Sequence, residues 1–488
     1  MNSNLSQAHR SLLDLRYSSS HTAWFAAVLG LVFIAAQNRA ALPERLAASP
    51  GTALDRYVAA ADTNFQWHLA NTIKQPGATV YIVDLTSQSW LTSQEISRTL
   101  WKHWLTVIVP DNAAAGTGLM VIGGGSNEKP APTKADGTLL AIAQATRTVV
   151  ALIAQVPNQP LRVPDRPQPL SEDALIAYTW DKFLRTGDER WPARLPMTKA
   201  VVRAMDVVTA LCAKEVGGLK VDKFFVTGAS KRGWTTWTTA AVDQRVTGIA
   251  PVVIDVLNIE ESLKAHYRSY GFFARAVGNY TNEHIPEWIG TPESRKLMQI
   301  EDPWEYRARY TMPKLVVTAT GDQFFPVDSA QFYFDGLPGP KYIRSVPNAD
   351  HGLKNSDVWF GVLAFYQALL NGESLPRLSW KHTGPGVVEA TAEPEPLEVR
   401  LWTATNPTAR DFRLETTGPI WKSEPVKADA PGRYKARVAA PDKGWTAYML
   451  EFKFKSGSLA PHTFTTDARI IPDTRPHSWP PPGHRLPK

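Results

Sequence analysis

From residue 78 onward, short apolar runs rich in β-branched side chains alternate with longer stretches whose apolar positions recur at helical spacing. Ala78–Leu85, Trp104–Pro110, Gly118–Ile122 and Thr148–Ile153 read as strands. The last is apolar throughout, as a strand covered on both faces must be. Residues 54–71 read as a helix of mixed aromatic and polar spacing. After a proline-rich loop over Pro157–Pro169, Glu172–Leu184 and Pro196–Cys212 read as further helices. The alternation resumes with a strand at Phe224–Thr227, a helix at Trp234–Val242 and a strand at Ile249–Ile254. Strands at Lys314–Thr320 and Lys341–Val346 and a helix at Val358–Leu370 close the region. Strands separated by helices pair in parallel through right-handed crossovers. The pattern therefore predicts an α/β domain over residues 50–382, built on a doubly wound, mostly parallel sheet. Shorter links between the first strands favour antiparallel pairing there.

Residues 256–312 break the alternation with a polar and aromatic insertion holding Tyr267, Tyr270, Phe272, Phe273, Tyr280, Trp288 and Trp304. An insertion at the carboxyl end of a sheet strand lies over the ligand crevice, so it reads as a lid. The plainer reading is a helical subdomain with its own small core. Over 383–471 the chain has short alternating runs and no helical spacing, which predicts a β-sandwich of immunoglobulin-like type. Residues 472–488, with three consecutive prolines, read as a disordered tail.

Ahead of the α/β domain, Arg10 and Arg16 precede an apolar run from Ala23 to Ala36. A bilayer-spanning helix needs about 20 apolar residues; the run is shorter and suits the apolar core of an export signal. Residues 1–41 thus read as a cleaved signal peptide, with an uncleaved anchor helix as the alternative. The mature chain is expected in the periplasm or outside the cell, with no membrane span. The single cysteine, Cys212, excludes an intrachain disulfide and any multi-cysteine metal site. The net charge of +7 has no dense basic run behind it, and no nucleic-acid motif accompanies it.

The densest chemical signal is Gly228-Ala229-Ser230-Lys231-Arg232-Gly233, where a strand ends, a turn presents a serine and a helix begins. A nucleophile elbow has this build, although its usual G-x-S-x-G pattern places the second glycine one position earlier. Asp322 follows the strand at 314–320, and His351 follows the next strand. Serine, acid and histidine in that chain order match an α/β-hydrolase triad, in which His351 takes the serine proton and Asp322 holds the imidazole. Asp255 and Asp328 also sit near strand ends and compete for the role of acid. For His351 the plainer reading is a loop histidine capping the closing helix. Oxyanion donors are expected from the N–H of Lys231 and from the glycine turn at Gly124, Gly125 and Ser126. His266 and His284 have no metal-ligand spacing, and neither a metal nor a cofactor is expected.

At these motifs the chain resembles the PhoPQ-activated pathogenicity-related protein family. The residues that carry the likeness are Gly228 to Trp237, Ala240 to Asp243 and Pro251 to Asp255. Further matching strings are Ser87 to Trp90, Trp101 to Trp104, Glu172 to Leu175, Leu195 to Lys199, Pro347 to His351, Ala404 to Pro407 and Asp411 to Arg413. The resemblance implies an α/β-hydrolase fold, export beyond the inner membrane, and an association with bacterial virulence and resistance to antimicrobial peptides. It implies no substrate. The elbow is also similar to that of glucuronoyl esterases, and the Asp322 loop to that of prolyl-oligopeptidase-like hydrolases.

Two functions follow as expectations. One is an exported serine hydrolase acting through an acyl-enzyme on Ser230, on a small-molecule, peptide or carbohydrate-ester substrate. The other is a non-catalytic binding protein of the cell envelope that uses the lid and the β-rich region.

Overall fold

Buried β-branched residues set the frame. In the computed structural model, which describes residues 51–458 and 460–486, fourteen strands join in one sheet. The expected export signal over 1–41 lies outside the described residues. The strands β1 (Gln66–Gln75), β2 (Ala78–Ser89) and β3 (Leu100–Pro110) form an antiparallel lead-in. They are followed by β4 (Gly116–Ile122), β5 (Val150–Ile153), β6 (Val221–Ala229), β7 (Val246–Val252), β8 (Lys314–Ala319) and β9 (Lys341–Val346). These six are parallel in the order β5-β4-β6-β7-β8-β9, with β3 antiparallel beside β5. That order is the α/β-hydrolase arrangement. All six residues of β8 are buried, as a strand covered on both faces requires.

The helices in chain order are α1 (Ala53–Ala59), α2 (Gly137–Thr146), α3 (Glu172–Thr186), α4 (Arg194–Glu215) and α5 (Lys231–Val242). Then come α6 (Ile259–Tyr270), α7 (Gly278–Asn282), α8 (Pro292–Glu301) and α9 (Val358–Leu370). From β4 the chain turns to β5 on one side and then crosses to β6 on the other. A ligand crevice forms outside the carboxyl ends of strands where such a reversal occurs. The next residue after β6 is Ser230.

One expected element is corrected. The helix anticipated over 54–71 ends at Ala59, started by a capping box between Thr52 and Asp55. From Gln66 the chain becomes strand β1, because its backbone pairs with β2 from Gln66 opposite Thr86 to Gln75 opposite Ala78. A tertiary ladder outweighs weak helical spacing there.

The insertion between β7 and β8 carries α6, α7 and α8. Its base is fixed by Asp302, which accepts N–H bonds from Asn258 (3.2 Å), Ile259 (2.7 Å) and Trp304 (2.9 Å). Burial pushes this carboxyl up to about 7 in spite of those bonds.

Beyond α9, with one short helix at Leu414–Thr417, the chain is built mainly of strands. They are β10 (Arg377–Gly384), β11 (Val387–Glu393), β12 (Glu398–Asn406), β13 (Lys422–Pro425), β14 (Arg433–Arg437), β15 (Trp445–Phe454), β16 (His462–Thr465) and β17 (Arg469–Ile471). β10, β11 and β14 form a separate antiparallel sheet. β16, β15, β12 and β13 extend the central sheet beyond β9, joined where Thr465 pairs with Ile343. The core between the two sheets, with Val388, Tyr434, Leu450 and Phe452, is continuous with Tyr342 and Phe365 of the α/β region.

The final segment is not a loose tail. Arg475 donates to Asp328 (3.0 Å), the His477 N–H donates to the Arg268 carbonyl (3.1 Å), and the Trp479 ring lies 5.9 Å from that of Tyr267. The insertion offers the tail aromatic rings and a carboxylate, and composition alone does not register these partners. Among the described residues no helix is long and apolar enough to cross a membrane.

Asp328 ties these pieces together, since the buried Arg410 after β12 also donates to it at 2.7 Å. Burial alone would raise this carboxyl, but Arg410 and Arg475 outweigh it and hold it at about 2. Its folded pKa is depressed, so its stabilisation is complete above the ordinary carboxylate value. That stabilisation is lost as pH falls toward about 2. Arg410→Ala leaves a buried carboxylate short of a partner and is expected to cost about 3 kcal/mol or more. Urea denaturation near neutral pH measures that loss, and the variant's stability should decline less steeply with acid than that of the parent.

Candidate active site

Strand β6 ends at Ala229 and helix α5 begins at Lys231, so Ser230 alone makes the turn. Its backbone sits at φ 58° and ψ −127°, a conformation that side-chain-bearing residues rarely adopt and that costs roughly 1–3 kcal/mol. Two hydrogen bonds hold it there: the Ser230 N–H to the Val252 carbonyl (2.8 Å) and the Trp234 N–H to the Ser230 carbonyl (2.9 Å). Strand and helix must also approach closely. A Cβ on Gly228 would come within 2.7 Å of the Arg232 carbonyl oxygen, and one on Gly233 within 2.9 Å of the carbonyl oxygens of Gly228 and Val252. The glycine that looks one place late in the sequence is thus the one the helix presses against the strand.

Arg232, in the position where that glycine is usual, points elsewhere. Its guanidinium donates to the Val156 carbonyl (2.6 Å) and to both oxygens of Glu172 (2.8 and 2.6 Å). It also lies against Gly124, where a Cβ would collide with Nη2. Burial raises the Glu172 carboxyl, but Arg232 and Lys231 outweigh it and bring it down to about 2. Arg232 thereby fastens the loop after β5 to α3 and α5.

The other two predicted residues meet the serine. His351 Nε2 is 2.9 Å from Ser230 Oγ, and His351 Nδ1 is 2.8 Å from Asp322 Oδ2. A carboxylate only accepts, so the imidazole hydrogen belongs on Nδ1 and Nε2 is free to accept the hydroxyl proton. Asp322 is buried and held by the Phe324 N–H (2.7 Å), while the His351 N–H is held by the Gln323 side chain (3.0 Å). The Phe324 ring lies 4.5 Å from the imidazole.

The competing acids are engaged elsewhere. Asp328 belongs to the arginine cluster described above. Asp255 accepts the Tyr333 hydroxyl at 2.6 Å, and burial pushes it up to about 8. His266 receives the Ala274 N–H on Nε2 (3.0 Å), so its hydrogen is on Nδ1, which faces the Phe324 carbonyl (3.2 Å). Burial lowers it to about 4, and it is a neutral, fully bonded side chain. His284 pairs with Glu287 at the surface (3.2 Å). Among the described residues no group of three or more His, Cys, Asp or Glu could hold a metal ion.

Beside Ser230 lies a cavity of about 60 Å³, walled mainly by apolar side chains including Trp180, Trp234, Val256, Leu263 and Phe325. Lys231 lines it, whereas Gly125 and Ser126 lie outside its wall. At its polar side, Lys231 Nζ donates to Asp173 (2.8 Å), which also accepts the Tyr280 hydroxyl (3.1 Å). Sequence reasoning missed this pair, and it missed Arg194 as well. Arg194 is fully buried under the elbow and donates to the Lys231 carbonyl (2.8 Å) and Thr235 (3.0 Å), with Glu301 3.3 Å away. The one available signal was charge, at Glu172 and Asp173 beginning a helix and at Arg194 opening a largely apolar one.

The profile of the family described as "PhoPQ-activated pathogenicity-related protein" matches residues 54–413. The autocrine proliferation repressor protein A of Dictyostelium discoideum is 35% identical over 455 residues, covering 87% of this chain and 91% of that protein. Among solved structures, an acetyl xylan esterase from Paenibacillus sp. R4 superposes with a TM-score of 0.46 at 15% identity. It covers 66% of this chain and 92% of its own. A glucuronoyl esterase from Solibacter usitatus gives 0.36 at 15% identity, over 65% and 91% of the two chains.

The glycine contact in the elbow has a measurable consequence. Gly233→Ala forces a methyl group onto two backbone carbonyls and is expected to destabilise the fold by roughly 1–3 kcal/mol. Chemical denaturation measures this, and a stability equal to that of the parent would contradict the close approach.

Proposed function

The chain belongs to the PhoPQ-activated pathogenicity-related family, and on that premise we propose that it is a serine hydrolase cleaving an ester or amide bond through an acyl-enzyme on Ser230. The observation that carries the reading is the unbroken relay from Ser230 Oγ to His351 Nε2 (2.9 Å) and from His351 Nδ1 to Asp322 (2.8 Å). His351 takes the hydroxyl proton as Ser230 Oγ attacks the carbonyl carbon, and then delivers it to the leaving alcohol or amine. Asp322 keeps the imidazole in the working tautomer and stabilises its transient charge. Water, activated by the same imidazole, releases the acid and regenerates the serine.

Negative charge develops on the carbonyl oxygen during attack. In this reading the Lys231 N–H, at the start of α5, is the first donor to that oxygen. The second is a backbone N–H of the β4 loop at Gly125 or Ser126, and losing one such donor costs about 2.7–4 kcal/mol in the barrier. We also propose export of the chain, on the length of the apolar run at 23–36. N-terminal sequencing of protein recovered outside the cytoplasm tests that, and an intact start at Met1 would count against cleavage.

A fluorophosphonate should label the parent at Ser230, as read by peptide mass, and leave Ser230→Ala unlabelled. With any ester that is turned over, Asp322→Asn should lower kcat by about 10⁴-fold, since an amide in place of the carboxylate favours the wrong tautomer. A folded parent that resists the label would count against hydrolysis and favour a binding role.

A further inference from the structure

The cavity beside Ser230 has a direction. Ser230, Lys231, Phe324 and Phe325 line it, and His351 does not. In acyl transfer the leaving group departs with a proton from His351 Nε2, so it must lie on the imidazole side. The substituent on the acyl carbon then extends the other way, into the cavity. At about 60 Å³ the cavity is well under the roughly 150 Å³ of one that holds a benzene ring. Resting on the hydrolase reading above, we propose that this cavity is the acyl subsite and that the enzyme's substrates carry a short aliphatic acyl group, of acetyl or propionyl size.

The wall resists enlargement because its aromatic members brace one another. The Trp234 indole N–H donates to the Glu301 carbonyl (2.6 Å), and the Arg194 guanidinium lies 4.5 Å from its ring. Trp180 meets Trp234 edge to face at 5.8 Å and Tyr280 at 5.3 Å. Tyr280 is in turn tied to Asp173, and Asp173 to Lys231. A longer chain would have to displace this set, whereas a short one only fills the space. In hydrophobic subsites a single methylene commonly changes kcat/KM by about 10-fold to 200-fold. Leu263, on α6 and only partly buried, is the softer part of the wall.

Sulfonyl fluorides of graded size test the subsite without a known substrate. Ser230 Oγ attacks sulfur, the Oγ–S bond forms as the S–F bond breaks, and fluoride leaves while His351 takes the serine proton. Methanesulfonyl fluoride and phenylmethanesulfonyl fluoride are compared by intact mass, each rate normalised to the reagent's spontaneous hydrolysis. The methyl reagent is expected to modify Ser230 at least 10-fold faster than the phenylmethyl reagent. Leu263→Ala should raise the normalised phenylmethyl rate at least threefold. Equal rates for the two reagents would overturn the size limit while leaving Ser230 as the nucleophile, and an unchanged phenylmethyl rate in Leu263→Ala would overturn this cavity as the subsite. If neither reagent adds to Ser230 in folded protein, the hydrolase reading falls and this inference falls with it.

Discussion

The contact of Gly233 with the carbonyls of Gly228 and Val252 is the constraint on which the rest of the site depends. It lets α5 start with a single residue, Ser230, between it and the end of β6. The backbone strain at Ser230 is local, and what opposes it is spread over several elements. Val252 supplies a carbonyl from the neighbouring strand, and Arg194 ties the first turn of α5 to α4 and α8. Arg232 reaches out of the same turn to Glu172 and the Val156 carbonyl. Basic residues that look like decoration on the elbow are its struts.

The acid and histidine loops depend on a more distant part of the chain. Leu414 donates its N–H to the Gly321 carbonyl (3.0 Å), and a Cβ on Gly321 would come within 2.7 Å of that of Leu414. Asn348 exchanges two hydrogen bonds with the backbone of Trp421, both at 2.9 Å. The loops that bring Asp322 and His351 to Ser230 are thus braced from outside by the β-rich region. That region has a mechanical part in the site without lining the cavity.

Much of this was legible in the sequence. Strand positions, the order serine, acid, histidine, and their placement on loops after β6, β8 and β9 follow from apolar periodicity and chain order. The choice of Asp322 over Asp255 and Asp328 was legible only as position. In three dimensions Asp322 is the one that meets His351, while Tyr333 engages Asp255, and Arg410 with Arg475 engages Asp328. The helix expected through 71 failed because strand pairing is a long-range property that local spacing does not encode. The tail was misjudged for a related reason. Its proline-rich composition signals a lack of local structure, and it says nothing of Trp479 meeting Tyr267 and Phe273. The pairs Lys231–Asp173 and Arg194–Glu301 were invisible because the partners lie far apart along the chain.

The seam between β9 and β16 bears on how the molecule is made. Strand β9 takes its outer neighbour from Thr465, and the Ser345 N–H donates to the Thr465 hydroxyl (3.0 Å) across a separation of 120 residues. An unpaired strand flank is a template for association with other chains. During vectorial synthesis that flank stays open until β16, about 120 residues further on, has emerged. The strand just ahead of His351 therefore gains its last neighbour late, and a ribosome stalled before β16 would leave a sticky intermediate instead of a smaller folded protein.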